Sequence, residues 1–411
     1  MRRVLKGGRG RYTLRAFMKR DTGMNIKGLI SLSFGTLSYG MTEFVAMGLL
    51  PYVAAAFSVT LPQAGNFISA YATGVAFGAV ALLWLRSVEL KRLLLVLMSV
   101  QVAGNILVCL SPTFHTILAA RFISGLPHGC YFGIATIVAQ RIADRDRGSV
   151  AVSIMVAGMT IANVFGVPLG TSIAHTIDFR VVFAFTALWG AVVVFSIWRW
   201  VPGVGKVEDT GFRGQFRFLK SPAPWLVLLA VFTGNGGILC MLSYISPLMT
   251  RMAGLPLESV PGVLLATGLT MMVCNFVSGR LCDRFTPGRI GCLAQAIAVL
   301  CLVLMALLGS TAPAAVALAC CTCGMLFALS APEQVSILRV APGGLMLASS
   351  LVQVAFNLGN AFGAFAGGIP LRMGAPLPWI PATGAFISLF GAVALFIYFR
   401  RYEALFSKDI R

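Results

Sequence analysis

Apolar residues fall along this chain in long blocks separated by short polar clusters. A helix crossing about 30 Å of hydrocarbon needs roughly 20 mainly apolar residues. Twelve blocks meet that need: 27–50, 62–85, 93–110, 114–140, 149–174, 181–200, 224–249, 259–281, 289–309, 314–338, 344–371 and 378–399. The pattern predicts an all-α membrane protein of twelve transmembrane helices. One long polar stretch, KVEDTGFRGQFRFLKSP at 206–222, interrupts it midway. The expected organisation is a basic tail (1–26), an N-terminal six-helix half (27–200), a linker (201–223), a C-terminal six-helix half (224–399) and a short tail (400–411).

Composition agrees: 58% of residues are hydrophobic, 11% are charged, and the mean hydropathy is +0.88. The net charge of +19 would suggest an anionic or nucleic-acid partner in a soluble protein. Its placement says otherwise. Cytoplasmic loops retain Lys and Arg whereas short translocated loops lack them. With both termini cytoplasmic, that side takes 28 of the 32 basic residues. The other side has only Arg180, Arg251 and Arg372, and Arg121 lies within a span. The charge therefore reports topology, and no nucleic-acid partner is expected. The 10 cysteines sit in or beside apolar spans, so no disulfide framework is expected. Cys320, Cys321 and Cys323 lack acidic or His neighbours and read as packing rather than a metal site. Residues 1–23 read as a disordered basic tail, with Met24 a candidate start. No phosphate loop, Ser-His-Asp set or metal-ligand cluster is visible, so neither an enzyme, an ATP-driven pump nor a cofactor is expected.

Two phrases recur. NVFGVPLG (163–170) returns as NAFGAFAG (360–367), matching Asn163, Phe165, Gly166 and Gly170 to Asn360, Phe362, Gly363 and Gly367. ATGVAFGAVALLWLRSVE from Ala72 aligns with ATGLTMMVCNFVSGRLCD from Ala266, placing Glu89 opposite Asp283. These offsets set the second span on the eighth and the fifth on the eleventh, so each half is a parallel copy of the other. In lipid, close helix approach depends on small residues. Gly158, Asn163, Gly166, Pro168, Gly170, Asn360, Gly363 and Gly367 are therefore expected to form thin faces where the halves slide, Pro168 adding a bend. Static packing is the plainer alternative. If the faces slide, Gly166→Leu abolishes transport with membrane abundance intact.

Ionisable groups at membrane depth are costly and point to function. Glu43 and Arg121 each lie about seven residues, roughly 10 Å, inside the same membrane surface, and His128 sits two turns deeper on the fourth span. Burial penalises an ionised Glu43 while a nearby cation favours it, so the residue is suited to exchange a driving proton, tuned by Arg121 and relayed by His128. A permanent structural ion pair is the alternative, as is a packing role for His128. Polar side chains suited to a small neutral solute are Asn66, Tyr71, Asn235, Tyr244, Glu333, Gln334, Gln353 and Asn357. The same groups could instead bond helices together.

With these residues, GMTEFVAMGLLP, RFISGLPHGCYFG, FRFLKSPAPWL, MLFALSAPEQ and QVAFNLGNAFGAFAGG make the chain resemble the drug:proton antiporter branch of the major facilitator superfamily. More closely it resembles bacterial arabinose-inducible sugar efflux transporters, from about Met24 to Tyr402. The resemblance implies a monomeric exporter of a small solute by proton-coupled alternating access. A multidrug exporter of the same fold and a non-transporting sensor or scaffold are the rivals. It also implies a gate-latching loop motif G-x-x-x-D-R-x-G-R, matched here by Gly279, Asp283 and Arg284, with Gly288 and Arg289 following two residues later than the motif places them. The second-span copy keeps Arg86, Glu89, Lys91 and Arg92 without the Asp-Arg pair, and GVPLGT departs from the family's adjoining Gly-Pro. A symmetric latch is thus not expected.

Overall fold

The computed structural model describes residues 24–59, 61–85, 87–144, 146–207 and 211–407. The basic tail over 1–23 and Arg86 lie outside the described residues. Among them the chain is helical, without strands. The first half comprises α1 (Ile26–Ala56), α2 (Asn66–Ala81), α3 (Leu90–Leu110), α4 (Phe114–Arg141), α5 (Gly148–Gly166) and α6 (Phe179–Trp200). The second comprises α7 (Pro222–Leu242), α8 (Val260–Arg284), α9 (Pro287–Leu308), α10 (Ala312–Arg339), α11 (Leu345–Arg372) and α12 (Trp379–Glu403). From α3 to α12, all 10 are long and apolar enough to cross a membrane. Large apolar side chains such as Phe185, Leu188, Leu307 and Phe386 stand exposed around the outside, as a lipid-facing surface requires.

Local chemistry sets where helices start. Thr113 and Thr116 form a capping box on α4, and Asp178 accepts the Arg180 N–H at α6. Ser221 with Pro222 opens α7, and Thr286 with Pro287 opens α9, because proline at the first helical position forfeits only a donor that is unpaired anyway. Interior prolines are accommodated differently. α5 passes through a π-helical turn at Ala162–Gly166 and then continues as Val167–Thr176, which carries Pro168 within one continuous span. α10 breaks at Leu329, three residues before Pro332. Pro332 cannot donate to the Ala328 carbonyl, and the Ser278 hydroxyl of α8 bonds that carbonyl instead. α1 runs to Ala56, six residues beyond its expected end.

The halves repeat one packing scheme: α1 lies on α5 as α7 lies on α11, α2 on α4 as α8 on α10, and α3 on α6 as α9 on α12. Gln101 and Gln295, 194 residues apart like the second-span phrases, extend the echo. Gln101 bonds Ser38 and Thr42 of α1, while Gln295 bonds Ser388 of α12, whose hydroxyl reaches the Gly234 carbonyl of α7.

The duplicated glycines sit on seams inside the halves, not between them. A Cβ on Gly158 would meet the Ser33 carbonyl of α1, one on Gly166 the Met41 sulfur, and one on Gly170 the Val45 side chain. A Cβ on Gly363 would meet the Gly236 carbonyl of α7, and one on Gly367 the Tyr244 ring. Asn163 bonds its own helix at the Met159 carbonyl. The expectation of a sliding interface is therefore corrected: Pro168 is exposed and these glycines join α5 to α1 and α11 to α7. Repetition of the phrase marks repetition of an internal joint. The seams between halves are α5 on α8, through Gly268 and Gly279, and α4 on α11, through Gly129 and Gly133.

The correction changes what glycine substitutions do. Valine at Gly158 or Gly363 presses on backbone, which cannot yield, so membrane abundance of the folded protein should fall severalfold, overpacking costing about 1–3 kcal/mol. Alanine at Gly166 meets only the end of a flexible methionine and should be accumulated normally. Fluorescence-detected size exclusion of the solubilised variants distinguishes these outcomes; equal abundance of all three contradicts the seam assignment.

Candidate functional site

Glu43 on α1, Arg121 and His128 on α4, and Tyr71 on α2 come together in the interior of the first half. All four are buried, Glu43 at 4% exposure and Arg121 and His128 at 0%. The Arg121 guanidinium lies over the rings of Tyr71 (4.4 Å) and Phe67 (4.6 Å), and Phe183 is 5.6 Å away. Its Nε donates to the Phe67 carbonyl at 3.2 Å and its Nη1 to the Thr42 carbonyl at 2.8 Å. Arg121 thus spends its donors on two backbone carbonyls rather than on the Glu43 carboxylate. The Glu43 Oε2 lies 3.8 Å from His128 Nδ1, which shares a 2.8 Å hydrogen bond with the Tyr71 hydroxyl.

Three polar atoms here, Glu43 Oε2, Arg121 Nη2 and His128 Nε2, are buried without a hydrogen-bond partner. Native interiors rarely tolerate that, since each such atom costs about 1–3 kcal/mol, and charged groups more. Such a cluster suits a group that changes its protonation state. Around it, Gln101 and Asn105 of α3 both bond the Thr42 hydroxyl, at 2.9 and 3.1 Å, steadying the turn of α1 whose next residue is Glu43. These amides, four apart in an apolar run, were a readable signal that the expected set did not include.

A second polar site lies where the halves meet. A cavity of ≈ 50 Å³ is walled by Phe132 from α4 and Val156 and Met159 from α5 on one side, and by residues of α7, α10 and α11 on the other. Asn235, Glu333, Gln334 and Gln353 line it, as expected, together with Ser330, Phe327 and Phe356. Asn235 reaches it because it ends the π-helical turn Ala230–Asn235, and its Nδ2 donates to Glu333 Oε2 at 2.9 Å. Phe132 stands between the two sites: it lines the cavity, and its ring lies 5.2 Å from the His128 ring.

Other expected solute ligands fall elsewhere. Asn66 is exposed in the first turn of α2. Tyr71 belongs to the charged cluster. Tyr244 donates to the Ala364 carbonyl at 3.0 Å and joins α7 to α11. Asn357 spends its amide on the Gln353 carbonyl of its own helix, and Asn360 does not line the cavity. Of these α11 amides, only Gln353 lines the cavity.

At the end of the bundle bearing the basic loops, the halves are clamped. Asp283 of α8 accepts the backbone N–H groups of Ser149 (2.8 Å) and Val150 (3.0 Å) at the start of α5. A carboxylate from one half thereby satisfies unpaired donors and the positive dipole end of a helix in the other. Beneath it, Asn275 and Ser153 exchange bonds between the same helices, with Gly279 against Ser153. Arg284 and Arg289 are exposed and lie near the Phe285 ring at 5.6 and 5.2 Å. Among the described residues Glu89 pairs locally with Arg92 at 3.6 Å, and no counterpart of the Asp283 clamp is seen there. Glu403, not anticipated from sequence, holds the start of α9 through Thr286 and the Gly288 N–H.

Comparison with known proteins gives this architecture a context. Residues 32–346 match the Major Facilitator Superfamily. AraJ of Escherichia coli (strain K12) is 36% identical over 92% of this chain and 96% of its own length. The inner membrane transport protein YdhP of the same strain is 32% identical over 91% of this chain and 96% of its own. The crystal structure of the E. coli fucose:proton symporter FucP superposes with a TM-score of 0.74, covering 91% of this chain and 99% of that one at 16% identity.

Proposed function

The chain belongs to the Major Facilitator Superfamily, and from that premise we propose that it exports a sugar or sugar derivative by alternating access driven by inward proton flow. It is a multi-pass transporter of the bacterial inner membrane and not an enzyme. The observation carrying the proposal is the buried Glu43–His128–Tyr71–Arg121 cluster, set one aromatic ring away from a cavity shared by both halves. Glu43 takes up the proton, Arg121 biases it toward release, and His128 with Tyr71 holds the acid in register. The basic loops face the cytoplasm, so the Asp283 clamp closes the cytoplasmic end in the state described here. Opening that clamp while the far side closes would carry solute and proton in opposite directions.

A sugar suits the amide-lined, partly aromatic cavity, and FucP is itself a fucose:proton symporter. Phe132, Phe327 and Phe356 favour the second reading, an exporter of amphipathic drugs. Purified protein in proteoliposomes with an imposed pH gradient decides between them. Gradient-driven accumulation of pentoses or their derivatives supports the proposal. Flux confined to apolar drugs supports the second reading, and solute movement indifferent to the gradient removes the proton from the mechanism.

A further inference from the structure

The cavity between the halves contains a carboxylate and no cation. Of its 13 lining residues, Glu333 alone is ionisable. Nearby basic groups are committed elsewhere: Arg339, lower on α10, contacts Glu403 at 3.8 Å, and Arg121 bonds the carbonyls of Phe67 and Thr42. Glu333 is nonetheless 3% exposed, with one donor, the Asn235 amide, on Oε2 and none on Oε1.

The remaining unpaired atoms are biased in one direction. Among the fully enclosed lining atoms, Glu333 Oε1, Asn235 Oδ1 and Gln334 Oε1 are acceptors without donors, and Gln353 Nε2 is a donor without an acceptor. The Asn235 orientation is fixed because its Nδ2 donates to a carboxylate oxygen. A neutral sugar hydroxyl offers one donor with its acceptors, leaving such a lining partly unsatisfied. An ammonium group offers three donors and a positive charge. The volume of ≈ 50 Å³ holds a few water-sized groups, enough for that head. Phe132, Phe327 and Phe356 supply ring faces of the kind that attract a cation.

We propose that the cavity recognises a solute bearing a protonated amine, an amino sugar or similar hydroxylated amine, through Glu333 with Asn235 and Gln334. This rests on the transport reading above and narrows its substrate class. Glu333 then differs in task from Glu43: one binds the solute's charge and the other carries the driving proton.

The test is counterflow by the full chain in proteoliposomes with three probes, glucosamine, glucose and N-acetylglucosamine, which share a ring and differ in the amine. The expected result is glucosamine flux about tenfold or more above the two neutral sugars. Glu333→Gln should abolish that preference and Glu333→Asp should restore part of it. Glucosamine should also raise the melting temperature of the wild-type protein more than glucose does, a readout that survives if the variants fail to fold. Transport of the neutral sugars without preference for glucosamine overturns the amine proposal while leaving sugar transport standing. Movement of none of the probes, with pentoses carried, overturns the amine proposal alone; carriage of apolar drugs only, or an inert protein, overturns both.

Discussion

Glu43→Gln is expected to abolish proton-driven accumulation while solute-for-solute exchange continues at a measurable rate. Glutamine keeps the size and hydrogen-bonding capacity of the side chain but cannot bind and release a proton. The site offers no substitute acid: Tyr71 and His128 are its neighbours, and Glu333 lies beyond Phe132 in the other half. Gradient-driven flux in pyranine-loaded proteoliposomes should drop on the order of tenfold or more, equivalent to at least about 1.4 kcal/mol of lost driving interaction. Undiminished gradient-driven flux in this variant would falsify the assignment of Glu43 to proton coupling.

Arg121→Leu should act on folding first. The guanidinium holds the Thr42 and Phe67 carbonyls, packs on two aromatic rings and offsets the charge of Glu43. Its loss leaves two buried acceptors without donors, about 1–3 kcal/mol each, and an uncompensated acid, about 3–5 kcal/mol. These overlap and do not add, yet any one is a large fraction of a typical protein's stability. The expected outcome is a severe fall in membrane abundance and melting temperature. Arg121→Lys keeps the charge but lacks the fork that spans both carbonyls, so it should fall between. Adding Glu43→Gln to Arg121→Leu should recover part of the lost stability, because the acid no longer needs a cation. A double variant no more stable than Arg121→Leu would show that Arg121 serves only its carbonyls and rings.

Much of the fold was open to inspection from apolar block lengths alone. A backbone in lipid must satisfy its own hydrogen bonds, so length and hydropathy prescribe helices with little freedom. The acids and bases were equally conspicuous. Glu43, Arg121 and His128 were expected together, and the structure brings them together. Amides were harder, because an amide in a helix can serve a cavity, a neighbouring helix or its own backbone at similar cost. Asn235 and Gln353 face the cavity, Gln101 and Asn105 brace α1, and Asn357 bonds its own turn. Nothing in residue type or spacing separates these cases.

The sequence by itself determined that this is a duplicated helical membrane protein with a charged cluster in its first half, since hydropathy, repeats and buried charge are written one residue at a time. Tertiary structure alone decided which faces meet. It placed the repeated glycines inside each half, set Tyr71 in the charged cluster rather than in the cavity, and put Asp283 on the start of α5. The reason is that a small residue or carboxylate specifies what it can approach, but not which of several neighbouring helices comes close enough to be its partner.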